Sequence, residues 1–147
     1  MEPLFTEPII LTHVKMIEHL AKRIGNVHLN TIGLTQSQAD IIVYLAQASD
    51  QKIHQRAIER ALNYSNPTIT GLLNRLEQKG LITRTVDVND SRMRLISLTN
   101  DALSIVEEIY RSIQETEKKL LDGLSKEEID LLAPLMARIA KNALRSM

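Results

Sequence analysis

The 147-residue chain has no cysteine, and its 18 basic residues balance 18 acidic ones, so disulfides, thiol redox sensing and thiolate metal sites are excluded. Apolar residues make up 44 %, with no Trp and a single Phe; Leu, Ile and Ala must fill the core, and the scarcity of Gly and Pro favours a mostly helical chain. It contains no apolar run long enough to span a bilayer, and its acidic start, MEPLFTEPII, lacks the positive segment of a secretory signal, so a cytoplasmic protein without membrane contact is expected.

Residues 1–8, framed by Pro3 and Pro8, read as an irregular lead-in. From Ile9 a helix is expected, with Ile10, Val14, Ile17, Ala21, Ile24 and His28 forming one stripe at spacings of three and four, a soft point at Gly25-Asn26 and a turn at Gly33. Thr35 and Gln38 have capping-box spacing ahead of a helix over about 36–48. A short helix follows over about 55–62. After the polar turn 63–66 another helix starts at Pro67, where a first-turn proline is tolerated, and ends at Gly80, a suitable residue just beyond a helix. The period then changes. Leu81 to Val86 is rich in β-formers, 87–91 is a turn cluster, and 92–98 alternates loosely, which together read as a hairpin following a helix pair. A long helix from about Thr99, of more than 20 residues, carries Ala102, Val106, Ile109, Ile113, Thr116, Leu120 and Leu124 on one stripe. A last helix over about 126–144 is capped by Ser125 and Glu128 and is expected to kink at Pro134. The order is thus mostly α, α1-α2-α3-α4-β-β-α5-α6.

The outer helices carry apolar stripes that a small winged core cannot cover. The first and last helices of the same chain could hide part of them. A second subunit would hide the rest, which makes a homodimer the economical arrangement and a monomeric bundle with an appended hairpin the alternative. Charge is also uneven: residues 51–94 hold 8 basic and 4 acidic residues, whereas residues 1–50 hold 3 and 5 and residues 95–147 hold 7 and 9. A locally basic middle third can bind phosphate although the whole chain is neutral.

In the helix from Pro67, Ile69, Leu72, Leu73 and Leu76 share one face, suited to pack on Ile58 and Leu62. The opposite face, Pro67, Thr70, Gly71, Asn74 and Gln78, with Thr68 and Arg75 at its flanks, is small, polar and free of carboxylates, as suits close approach to a duplex. Gly71 costs helix propensity, and a bare backbone near a ligand is one return for that cost. Ser65, Asn66, Thr68, Thr70, Asn74 and Arg75 are therefore the candidate DNA-binding residues of this helix. Ser65 and Asn66 could equally serve as helix caps, Thr68 and Asn74 could be merely solvated, and Arg75 could pair with an acidic neighbour. In the hairpin, Asp90, Arg92 and Arg94 are candidates: Arg92 lies where a tip could reach a minor groove, and Asp90 could hold it or shape the turn. Lys52, Arg56, Arg60 and Lys79 would contact phosphate, although a solvated helix face accounts equally for Arg56 and Arg60.

These motifs resemble the MarR family of bacterial and archaeal regulators. The run 65–82 resembles its recognition-helix signature at Ser65, Thr68, Ile69, Thr70, Leu72, Leu73, Leu76, Glu77, Lys79, Gly80, Leu81 and Ile82. The hairpin resembles its wing pattern at Asp90, Arg92, Arg94, Ile96, Leu98 and Thr99, and LTQSQADIIVYL at 34–45 resembles its upstream helix. The resemblance implies a homodimer with interlocked terminal helices, here 9–33 and 100–147, around a winged helix-turn-helix lobe, here 34–99. It implies a palindromic double-stranded operator, a recognition helix in the major groove, Arg92 in the minor groove, and repression relieved by a small anionic or phenolic effector. The absence of cysteine departs from the family's oxidant sensors. A winged module that binds protein and not DNA is the alternative, supported by the neutral net charge.

No catalytic motif is present: a Gly-rich phosphate loop, HExxH and a nucleophile elbow are all missing, and the chain is not expected to be an enzyme. No cofactor is expected. His13, His19 and His28 do not share a helix face and His54 lies near the start of the short helix, so no metal site is expected, although histidines from different helices or subunits could meet.

Overall fold

Both capping boxes form. In each, the Thr35 or Ser125 hydroxyl accepts a backbone N–H three residues on, and the Gln38 or Glu128 side chain accepts the cap's own N–H. The computed structural model describes residues 10–147; the expected lead-in over 1–8 and the helix start at Ile9 lie outside them. The elements run α1 (Ile10–Thr31), α2 (Gln36–Gln47), α3 (Gln55–Leu62), α4 (Asn66–Gln78), β1 (Ile82–Asp87), β2 (Asp90–Leu98), α5 (Ala102–Leu120) and α6 (Lys126–Arg145). The soft point at Gly25-Asn26 does not interrupt α1; instead Asn26 Oδ1 accepts the N–H of Gln36 at 3.2 Å and helps cap α2.

Glycine closes α4 as its sequence suggests. Gly80 sits at φ 71°, and the N–H groups of Gly80 and Leu81 donate to the Glu77 and Leu76 carbonyls at 2.9 and 3.0 Å, the double bond that ends a helix on a left-handed residue. This turn aims the chain from α4 directly into β1. The two strands pair antiparallel, and the segment before α3 adds a single bridge, His54 to Leu95.

The core lies within the lobe and extends to α5 and α1. Ile41 and Ile42 of α2, Ile58 of α3, Ile69, Leu73 and Leu76 of α4, Ile82 of β1 and Ile109 of α5 are its largest fully buried side chains, each stabilising by roughly 1.5–3 kcal/mol relative to exposure. Leu29 joins α1 to this core, and α1 and α2 both pack on α5.

The outer helices differ from expectation. α5 spans 19 residues, fewer than the stripe suggested, because its chain turns at Leu121–Gly123. No residue of α6 is fully buried, although Ile129 and Leu132 are half-buried. Several of its apolar residues are open to solvent, Leu131 at 67 % and Leu144 at 73 % among them. α6 is a single helix through Pro134.

Candidate nucleic-acid interface

The helix pair is built by burial on one side only. Ile69, Leu72, Leu73 and Leu76 are all buried, with Ile58 beneath them and Leu62 packed at the edge. Thr68, Asn74 and Arg75 are exposed, and Thr70 and Gly71 are half-buried. A Cβ added at Gly71 would meet nothing within 4 Å, so no intramolecular packing demands glycine there.

Each candidate on α4 has a defined setting. Ser65 is the cap: its hydroxyl accepts the Thr68 N–H at 3.4 Å and lies 2.8 Å from the Thr68 hydroxyl. Asn66 donates to Glu59 Oε1 at 2.6 Å, and Gln55 donates both to that same oxygen (3.0 Å) and to Thr70 Oγ1 (2.8 Å). Gln55 and Glu59 of α3 thus fix the first half of α4. Arg75 has no ion-pair partner among the described residues, so the acidic-neighbour alternative is not realised. Lys79 is different from what sequence suggested. It donates to the Gly33 carbonyl and, at 3.2 Å, to Gln38 Oε1; it ties the end of α4 to the α1–α2 turn and is not a free phosphate contact. Lys52, Arg56 and Arg60 are exposed.

The wing has a tighter tip than the turn cluster suggested. Only Val88 and Asn89 separate the strands, because Asp87 Oδ1 accepts the Asn89 N–H at 2.9 Å and folds the turn locally. Asp90 therefore belongs to β2. Register shifts here: Asp87 faces Asp90 while Val86 faces Arg94, so Ser91, Arg92 and Met93 bulge out, which re-aims side chains at a strand end. Arg92 is 90 % exposed, and Asp90 Oδ1 accepts its backbone N–H at 3.0 Å and its Nε–H at 3.3 Å. Arg94 is exposed and donates to the Ser91 carbonyl at 3.3 Å. The wing root is held by His54 Nε2, 2.8 Å from Asp87 Oδ2. The Asn89 N–H and then the His54 side chain keep the Asp87 carboxyl below its usual range.

Arg92 and Arg94 share an open cleft of about 450 Å³ with Arg56, Asn66 and Arg84. The cleft runs between the start of α3, the start of α4 and the wing. Its cationic lining suits phosphate, with several guanidinium groups gathered in one cleft, although the Glu59 carboxylate also lines it. The arrangement brings Asn66, Arg92 and Arg94 together; Arg75 is not among the residues lining that cleft.

Two functional groups were missed. Arg84 of β1 reaches α4, its Nη2 donating to Asn74 Oδ1 at 2.7 Å and its Nε pairing with Glu77, the only carboxylate of the helix. Strand alternation carries the signal, since Arg84 follows the buried Ile82 on the same face. His54 was placed only near a helix start, and its tie to Asp87 spans 33 residues, beyond any local pattern.

Among the described residues no group of His, Asp or Glu is placed to hold a metal ion. His28 lies on α1 facing α5, its Nε2 3.8 Å from Glu108 Oε2. No described helix is long and apolar enough to cross a membrane.

A family model described as MarR family matches residues 32–93. Among solved structures, MepR of S. aureus in complex with DNA is similar at 29 % identity and TM-score 0.78, over 93 % of this chain and 99 % of that one. A structure described as the transcriptional regulator SlyA is 27 % identical with TM-score 0.80, over 95 % and 96 % of the two chains. MarR itself, at 20 % identity, shares the fold, with TM-score 0.88 over 99 % and 97 %.

Proposed function

We propose that the chain is a MarR-family transcriptional regulator that binds a palindromic double-stranded operator as a homodimer, a reading supported by the family-model match and by its similarity to MepR and SlyA. The observation that carries this reading is the open face of α4, whose single carboxylate is held by Arg84, standing beside a wing tip with an almost fully exposed arginine. Such a rod can enter a major groove while the wing follows the adjacent backbone or minor groove. The DNA complex of MepR supports it by similarity.

In this reading residues 34–99 form the DNA-binding lobe, and residues 9–33 and 100–147 form the dimer. Ser65, Asn66, Thr68, Thr70, Asn74, Arg75, Asp90, Arg92 and Arg94 make up the contact surface. Thr68 and Asn74 face base edges, while Asp90 holds Arg92 in place. The regulator acts as a repressor, and a small anionic or phenolic effector releases it by favouring a lobe spacing unfit for the operator. A cleft of about 470 Å³ between α2, β2 and α5, lined by Leu45, Ile53, Leu98, Leu103 and Tyr110 and without a charged residue, supports a phenolic effector by its position between lobe and dimer helices.

Selection of bound duplexes from a random pool tests the proposal. It should enrich a two-fold site whose half-sites lie about one helical turn, roughly 34 Å, apart. Enrichment of no duplex, or of a site without two-fold symmetry, would contradict it.

A further inference from the structure

The geometry points to Arg84 as a specificity-determining residue. It holds Asn74 so that the recognition helix reads an acceptor-only base edge, guanine or thymine, and discriminates against adenine at that position. This rests on the proposed DNA-binding role. Arg84 is half-buried between the wing and α4, with its guanidinium gripped by Glu77 on one side and Asn74 on the other. A guanidinium has donors only, so the end of the Asn74 amide that faces it must be the oxygen. The amide nitrogen is left pointing away, and it meets no protein acceptor among the described residues.

The consequence is chemical. An unconstrained asparagine pairs with adenine by turning both ends of its amide to one base, the oxygen accepting from N6 and the nitrogen donating to N7. Here Oδ1 is drawn toward the wing by its 2.7 Å contact with Arg84, which makes the nitrogen the outer end of the amide. What Asn74 can offer is a pair of N–H donors. These match guanine O6 and N7 or thymine O4, whereas adenine offers them N7 alone, beside an N6 donor that opposes them. Glu77 contributes by fixing the guanidinium, and its own charge is paired in the process.

The test uses full-length protein and the operator obtained by selection, synthesised with each of the four base pairs at every position in turn. Asn74→Ala identifies the base pair in question as the position where discrimination collapses. There the unmodified protein should favour guanine or thymine over adenine by about tenfold. Arg84→Met should reduce that ratio by about tenfold, toward adenine, with preferences elsewhere in the site unchanged. Asn74→Asp lies at an exposed position and guards against misfolding of the Arg84 variant. It keeps a partner for Arg84 but replaces the outward donor by an acceptor, so its preference should move to a donor-bearing edge, cytosine or adenine. A ratio unaltered in Arg84→Met, an adenine preference in the unmodified protein, an unchanged preference in Asn74→Asp, or no position flattened by Asn74→Ala would each overturn the inference. Failure of the unmodified protein to select any duplex would instead overturn the DNA-binding role itself.

Discussion

Arg92 sits on an outward bulge with nearly all its surface open and its only charge partner two residues away. An exposed ion pair of that kind contributes little to stability, so the residue is free to serve a ligand. Arg92→Ala should leave the unfolding midpoint unchanged and weaken operator binding by about tenfold or more, as loss of a charge-assisted contact requires. Fluorescence anisotropy with a labelled operator checks it, and unchanged affinity would remove the wing tip from the interface. Asp87 has the opposite character. It is buried at the wing root, and its hydrogen bonds to the Asn89 N–H and His54 lower its pKa in the folded state. A carboxylate with a depressed folded pKa stabilises above its unfolded value, and that stabilisation is lost as pH falls through the folded one. Asp87→Asn should therefore be less stable than the parent at neutral pH, and the gap should close as pH drops below the ordinary carboxylate range. Denaturant unfolding across pH measures this; a gap independent of pH would deny Asp87 its charged role. Local pairs such as Thr35–Gln38 were legible because the spacing alone implies them. The contacts of Arg84, Lys79 and His54 were not, because they join residues brought together only by the fold.

The order of the eight elements was legible at their own scale, since many boundaries carry local chemistry: a hydroxyl cap, a first-turn proline, a left-handed glycine or a change of period; α3 and α5, which start without a side-chain cap, carry less of it. The wing tip was read too loosely. A cluster of turn-forming residues from 87 to 91 suggests a loop, while the tip is set by one aspartate accepting one N–H. Gly71 is the sharpest element-scale case. Nothing in the protein fills the space beside it, and glycine inside a helix costs about 1 kcal/mol relative to alanine. Gly71→Ala should raise the stability of the lobe by up to about 1 kcal/mol and at the same time weaken operator binding, because the added methyl group stands between backbone and duplex. Thermal unfolding and anisotropy on one preparation separate the two effects. A stabilised variant with unaltered affinity would show that the backbone does not approach DNA there.

For the whole molecule the governing observation is apolar surface left uncovered. Leu131, Leu135, Met136 and Ile139 of α6 are all exposed in a single chain, and a contiguous apolar strip of that kind marks an interaction surface. The periodicity along the outer helices made apolar surface in excess of the lobe's needs legible; which helix leaves it open was not, because stripe length says nothing of how α6 leaves α5. Leu135→Glu combined with Ile139→Glu should convert a dimer to a monomer in analytical ultracentrifugation, with the lobe still folded, and should cost most of the operator affinity, since each lobe then binds alone. A dimer that persists would place the interface elsewhere.

If the proposed function holds, the lobe grips DNA through its cationic surface. The salt dependence of operator binding tests it most directly. Two lobes presenting Arg56, Arg75, Arg92 and Arg94 should release several counterions, so log K should fall linearly with log salt, losing on the order of 10³ or more between about 50 and 200 mM if six or more phosphates are neutralised. An affinity flat across that range would contradict the account.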